Sequence, residues 1–466
     1  MFLYALRILL ASNASYLPPR GGSTRSNLAF LGTLAEHGHR VRVIAAAADT
    51  HTEAQRSRLE RELAEQYLDS NFARRLEHEP VATGFFRGIE IVSARDFMRN
   101  TGILATQVRE FAPDWLLVSS EDVSHTLLRE AARSAPGRLI YLAHTPQFFP
   151  FGEASWHRDP AAAEAVRQAA AVIVISHAMA DYVAMHLGRE AILVHPPIYE
   201  VPSTASGDRE EPSTESGDEP NAPSLSSSPI AMINPCAVKG ISIFLALADL
   251  LPAEQFAALP GWGTTAHDLE QLRARPNIAV WPRVQRIEDF FSHVKVLLVP
   301  SLWLEGFGLV VMEAMLDGVP VIASNSGGLP EAKAGTDFVI PVRLIKSYEP
   351  VFDDRNMPRP LLPPQDIAPW REALRVLLED SAVYQSQRRA HQAAASSFVR
   401  QIDRYALERV LLNLPAPEPT STRTPTPAPG IASPLVDGRP FGLNRLSDDK
   451  RELLLKRLRH RHPART

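Results

Sequence analysis

Short apolar runs alternate with longer mixed stretches along residues 5–199. The runs 8–11, 41–46, 115–119, 139–143, 172–175 and 192–194 read as strands. Stretches such as 26–37 and 53–77 read as helices between them. Alternation of this kind predicts a parallel sheet covered on both faces by helices. The pattern stops at 200–229, a Pro/Ser/Glu-rich segment nearly free of large apolar groups, in which PSTASGD recurs as PSTESGD ten residues later. It reads as a disordered linker. A second series then begins, with strands at 230–233, 255–258, 278–281, 296–299 and 319–323. A proline-rich loop follows at 345–365, then helices near 366–379 and 382–412. Two α/β domains are therefore expected, in line with a length of 466 residues.

Composition changes this picture little. A hydrophobic content of 45%, a charged content of 22% and a net charge of −4 describe an ordinary globular chain with no pull toward nucleic acid. Cys236 is the single cysteine, so no intrachain disulfide forms, which fits a cytoplasmic location. No run approaches the ~20 apolar residues of a membrane span, and the first apolar stretch reads as a buried strand at 5–11. Residues 51–80 hold five arginines against seven acids, an unfavourable balance for membrane docking there.

The densest chemistry lies in 305–335, EGFGLVVMEAMLDGVPVIASNSGGLPEAKAG. Gly306, Phe307 and Gly308 follow a strand and open an apolar helix, the place where α/β sheets hold phosphates on backbone N–H groups. Glu305 and Glu313 stand eight positions apart, so Glu313 lies roughly 7.5 Å along the helix at about 1.5 Å per residue. That offset suits a diphosphate at the helix start and a carboxylate on ribose further along. A second glycine turn, Ser326-Gly327-Gly328, follows the next strand.

This stretch resembles the E-x7-E signature of retaining nucleotide-sugar glycosyltransferases of the GT-B fold, the group 1 or family 4-like enzymes. The resemblance covers about 1–413 and implies two Rossmann-like domains facing across a cleft. The expected organisation is an N-terminal acceptor domain (1–199), the linker (200–229) and a nucleotide-sugar-binding domain (230–397). A helix returning to the first domain (398–413), a Pro/Thr-rich linker (414–445) and a basic tail helix (446–466) follow. The resemblance also implies that Glu305 contacts the donor sugar, that Glu313 binds ribose, and that Phe307, Gly308 and Leu309 hold phosphate by their N–H groups. Lys239, the first lysine of the chain, sits in Asn234-Pro235-Cys236-Ala237-Val238-Lys239-Gly240, where the family places cations on the diphosphate. Asn234 stands where the family usually has arginine, which leaves less positive charge there. Arg283, beside Trp281 at a strand end, matches the nucleobase position. His144 matches a histidine contacting donor or acceptor, and Gly21 and Gly22 lie where backbone approaches the donor. No metal cluster is apparent, so a reaction with no cofactor beyond the nucleotide-sugar co-substrate is expected.

The tail LSDDKRELLLKRLR resembles a segment that opens condensation-type modules of nonribosomal peptide synthetases, which implies a docking helix for a megasynthase. From 439 to 466 nine Lys/Arg face three Asp/Glu, so attachment to a membrane surface stays open as well. The expected function is glycosyl transfer to a hydroxyl of a small or carrier-bound natural-product intermediate. Glycan assembly on a lipid or polysaccharide, and a catalytically inactive scaffold, are the alternatives.

Overall fold

The computed structural model describes residues 5–17, 19, 21–48, 75, 79–100, 102–199, 228–282, 284 and 286–415. The expected helix 53–77, linker 200–229, Arg283 and the tail 446–466 lie outside the described residues, apart from single positions.

The N-lobe is built on eight strands: β1 (Arg7–Ser12), β2 (Arg40–Ala46), β3 (Val81–Phe86), β4 (Ile89–Ala94), β5 (Trp115–Ser119), β6 (Leu139–Ala143), β7 (Ala171–Val174) and β8 (Ile192–Leu193). Their order is β3-β4-β2-β1-β5-β6-β7-β8, parallel throughout except for the β3–β4 pair. Helices α1 (Gly22–Glu36), α2 (Gly102–Phe111), α3 (Thr126–Ser134), α4 (Pro160–Arg167) and α5 (His177–Leu187) connect them. Every residue of β5 and β6 is buried, as strands covered on both faces require. The β3–β4 hairpin corrects the sequence reading, which places no strands there. Its two-residue turn, Arg87-Gly88, has φ of 48° and 78°, the left-handed pair that matches strand twist.

The C-lobe sheet contains β9 (Ile230–Ile233), β10 (Phe256–Leu259), β11 (Ile278–Val280), β12 (Val296–Val299), β13 (Val321–Ser324) and β14 (Val339–Ile340), ordered β11-β10-β9-β12-β13-β14 and parallel. Its helices are α6 (Ile241–Leu250), α7 (Ala266–Arg273), α8 (Ile287–Phe291), α9 (Leu309–Leu316) and α10 (Leu329–Ala332). Both sheets reverse strand order, at β1 and at β9, and crevices open at the carboxyl ends of such switch points. The expected loop 345–365 instead contains a small hairpin, β15 (Tyr348–Phe352) with β16 (Pro358–Pro360). Its prolines are tolerated because both strands are edges.

Helix α11 (Ala368–Glu379) precedes α12 (Ser381–Gln401) and α13 (Ala406–Asn413). The single helix expected over 382–412 is thus two, separated at residues 402–405. Helix α13 seats on the N-lobe: Trp115 Nε1 donates to the Leu411 carbonyl at 3.1 Å, and Glu408 bonds His37 and His39 at 2.7 and 2.9 Å. Among the described residues no helix is long and apolar enough to cross a membrane.

Helix α12 also carries a buried polar pair. His391 Nδ1 accepts from Val321 N–H at 3.1 Å, so its neutral ring keeps the proton on Nε2, which faces Lys333 Nζ at 3.1 Å. That contact is a hydrogen bond only if Lys333 is an uncharged amine with a free lone pair. Burial pushes Lys333 from 10.5 down to about 7, with Asp337 acting the other way. Burial and then Lys333 push His391 down to about 3. An unfolded chain holds the lysine proton up to about pH 10.4, so folding releases a proton between pH 7 and that value. The fold therefore gains stability as pH rises through that window and bears the full penalty below it. Relative to Lys333→Met, the wild-type melting temperature is expected to climb by several degrees between pH 7 and pH 10. A pH-independent difference would show that Lys333 stays charged in the fold.

Candidate active site

The carboxyl edge of β12 leads into Ser301, Trp303 and Glu305, and the edge of β9 leads into Asn234 to Gly240. These two loops are pressed together. Gly240 has φ of 84°, and a Cβ there would sit 1.9 Å from the Pro300 carbonyl oxygen, so only glycine allows the approach. The approach brings Lys239 Nζ to 2.6 Å from Glu305 Oε1, which also accepts the Ser301 hydroxyl. The Trp303 ring lies beneath the ammonium at 4.8 Å and the Trp262 ring at 5.9 Å, a favourable cation–π setting. One carboxylate oxygen and two indoles thus fix the ammonium at the end of the sheet.

Asn234 shapes the floor of this region. It is buried, adopts φ of 55°, and accepts from Gly263 N–H at 2.9 Å. Cβ atoms at Gly261 or Gly263 would collide with Asn234 or Cys236. The short asparagine side chain therefore holds the Gly261–Gly263 turn from below. Trp281 packs edge-on against Phe290 at 5.2 Å.

The glycines after Glu305 serve the meeting of the two lobes. Gly306 O accepts from Ser176 Oγ at 2.6 Å, and a Cβ on Gly306 would lie 2.1 Å from the His144 carbonyl oxygen. Ser176 is also the N-cap of α5, accepting from Met179 N–H, as the sequence predicts. Gly308 caps α9 with φ of 107°, which turns the Phe307 ring inward against His195 and Phe398. The first turn of α9 has N–H groups without intrahelical acceptors, beginning at Leu309. Gly327 and Gly328 lie under the loop, where Cβ atoms would meet backbone of Glu305 and Gly306 at 2.2 and 2.5 Å.

Other bonds cross the cleft. Arg25 of α1 reaches Glu313, the fifth residue of α9, at 2.6 Å. Gly22, beside Gly21 (φ 93°), faces Leu309 across the same gap. Glu331 of α10 accepts from the first N–H of α5, at His177, and from His195 Nε2, at 2.7 and 2.6 Å. Burial would raise its pKa, but the bonds from His195 and His177 hold it below the usual carboxylate value.

His144 ends β6 and is 3% exposed. Asn27 of α1 donates through Nδ2 to Tyr16 OH and Ser119 Oγ, both at 2.8 Å, which orients its Oδ1 to accept from His144 Nε2 at 2.7 Å. His144 therefore carries its proton on Nε2. Burial keeps the ring neutral by pushing its pKa below 6.5, partly opposed by the charge of Glu121.

Comparison with known proteins adds the family. Residues 20–199 match the profile described as Glycosyltransferase Family 4, and residues 230–348 match Glycosyl transferases group 1. Both lobes are glycosyltransferase-family domains on a GT-B fold. The chain resembles Anabaena HepE in complex with UDP and glucose, with a TM-score of 0.56 and 14% identity, covering 87% of this chain and 99% of that one. Among curated relatives, a protein in the cps region of Klebsiella pneumoniae is 42% identical over 15% of this chain and 20% of its own length. The D-inositol 3-phosphate glycosyltransferase of Streptomyces griseus is 43% identical over 14% of this chain and 15% of its own length. The matched segments thus span a fifth or less of these relatives.

In this GT-B glycosyltransferase fold the structure brings Lys239, Glu305, Gly306, Phe307, Gly308, Leu309 and Glu313 to one cleft, opposite Gly21, Gly22 and His144. Asn234 lines the turn behind Lys239, and Arg283 lies outside the described residues. Sequence reasoning missed Arg25, Asn27 and Glu121, and met Glu331 only as the end of the GG-x-PE turn, with no role assigned to it. Their partners were not legible, since those of Arg25 and Glu331 are 288 and 154 positions away. Among the described residues no group of three or more His, Cys, Asp or Glu is placed to hold a metal ion.

Proposed function

We propose that this chain transfers a sugar from a nucleoside diphosphate to an acceptor hydroxyl, with retention at the anomeric carbon. The Lys239–Glu305 pair beside the α9 N-terminus carries the reading. The C1–O bond to the diphosphate breaks, and its electron pair stays on the phosphate oxygen. The ammonium of Lys239 and the α9 N–H groups offset that charge, the kind of fixed electrostatic support that dominates acyl and phosphoryl chemistry. The acceptor oxygen bonds C1 from the same face, and its proton leaves on the diphosphate. Glu305 positions sugar hydroxyls and Glu313 the ribose, with Arg25 ready to exchange partners as the nucleotide enters. The nucleotide sugar is a co-substrate, and no cofactor or metal is invoked. The E-x7-E spacing supports retention by resemblance.

For the acceptor, the D-inositol 3-phosphate in one relative's name supports a polyhydroxy acceptor over tailoring of a peptide or polyketide, the role drawn from the tail. A panel of UDP-, GDP-, ADP- and dTDP-sugars tests the activity, with proton NMR of the fresh product before mutarotation. Turnover of one donor giving the donor's own anomer is expected. An inverted product removes retention, and a chain that binds donors but turns none over with any acceptor becomes a scaffold.

A further inference from the structure

We propose that Glu121 and His144 form an acceptor anchor that selects an uncharged polyhydroxy compound and rejects an anionic one; this rests on the glycosyl-transfer reading above. Glu121 lies in the turn after β5, at the carboxyl edge of the N-lobe sheet, and its backbone carbonyl accepts from Asn13 Nδ2 at 3.2 Å. Both of its carboxylate oxygens are buried and have no hydrogen-bond partner. His144 Nδ1 is buried and unpartnered in the same way, and because Nε2 holds the ring proton, Nδ1 presents a lone pair. Gln147 Oε1, in the turn after β6, and the hydroxyl of Tyr141, within β6, are also buried without partners.

Glu121 and His144 stand at neighbouring strand ends, because His144 N–H donates to Ser120 Oγ at 3.0 Å, one residue before Glu121. The Glu121 charge raises the pKa of both Tyr141 and His144, against or alongside the larger effect of burial. A carboxylate, an imidazole lone pair and an amide oxygen all need donors, and an unsatisfied buried acceptor carries a large desolvation cost. Asn27 is already committed to three bonds and supplies none. The matching ligand brings several O–H groups. A phosphate or carboxylate brings none and meets the charge of Glu121. The cluster adjoins the chemistry, because the His144 carbonyl is the atom packed against Gly306. Trp156, whose backbone N–H donates to the Gln147 carbonyl at 2.9 Å, packs tilted against Trp303 at 6.3 Å, and Trp303 in turn lies against the Lys239 ammonium. Aromatic faces of this kind suit the C–H side of a sugar ring. The Streptomyces griseus relative is named for D-inositol 3-phosphate, an anionic compound, and the proposed anchor sets this chain apart from it in acceptor charge.

The test compares the wild type with Glu121→Gln, using methyl glucoside and myo-inositol against glucose 6-phosphate and inositol 3-phosphate, with donor hydrolysis in water run beside them. Hydrolysis by the wild type establishes the parent reading separately. The wild type is expected to favour the neutral member of each pair at least tenfold in kcat/KM. Glu121→Gln should shrink that preference to within about threefold. It should also raise the melting temperature by about 2–4 °C, since a buried carboxylate without a partner destabilises the fold. Preference for the phosphorylated acceptors, transfer to no neutral acceptor while donor is hydrolysed, or a lowered melting temperature in Glu121→Gln would each overturn the proposal. The melting readout decides even without turnover, because a carboxylate serving only the fold loses stability on substitution.

Discussion

Lys239→Ala is expected to lower kcat by about 10²- to 10³-fold, roughly 3–4 kcal/mol, the typical loss when one preorganised charge-stabilising donor is removed. The ammonium has three donors and spends one on Glu305. Trp303 and Trp262 pack against its charge without consuming the others. In the proposed reaction a donor diphosphate in the cleft takes them. Alanine removes that support and leaves the Glu305 carboxylate with Ser301 as its remaining side-chain partner, so a lower melting temperature accompanies the kinetic loss. Lys239→Arg separates the two effects. Its guanidinium still pairs with Glu305 and restores stability, but a planar fork cannot take the place of a compact charge between two indoles, so kcat stays low. Single-turnover rates at saturating donor give the comparison. A kcat for Lys239→Ala within about fivefold of wild type would show that the ammonium merely neutralises Glu305.

Gly306→Ala is expected to reduce kcat/KM by about 100-fold or more while each lobe stays folded. The added Cβ would lie 2.1 Å from the His144 carbonyl oxygen and 3.3 Å from Ile175 Cδ1. Neither side yields easily, because the first is backbone at the end of β6, where His144 N–H is itself bonded to Ser120 Oγ at 3.0 Å. The lobes must part by about an ångström, and misplacement on that scale costs about 10²-fold where reaction depends on orientation. The bond from Ser176 Oγ to Gly306 O stretches with it. Gly32→Ala is the control. Gly32 lies within α1 with nothing within 4 Å of its added Cβ, and it should gain about 0.5–1 kcal/mol of stability from helix propensity with full activity. Scattering of the two variants measures the opening directly. Unchanged kcat/KM in Gly306→Ala would mean that the lobes react from a more open arrangement than this one.

How far the chain could be read in advance differs by feature. The buried strands were legible because an all-apolar run of four or five residues has few other homes, and β5, β6 and β12 are buried throughout. The β3–β4 hairpin was not, because its turn advertises itself only through Gly88 while Arg87 adopts positive φ unannounced. The proline-rich hairpin of β15 and β16 was masked by residues that usually mark loops. The break between α12 and α13 escaped because no proline or glycine stands at 402–405.

The sequence by itself determined the glycine turns and the spacing of Glu305 and Glu313, because those are local demands of backbone approach and helix rise, met within about thirty residues. Only the tertiary structure decided which side chains meet there. Lys239 reaches Glu305 because Gly240 lets two loops touch; Arg25 finds Glu313, and Glu331 finds His177 and His195, because two sheets face each other. Whether a buried carboxylate is paired, as at Glu331, or left with bare oxygens, as at Glu121, follows from such long-range neighbours. Periodicity along the chain reports only that a residue is covered. The partner that covers it is set by the docking of elements far apart in sequence.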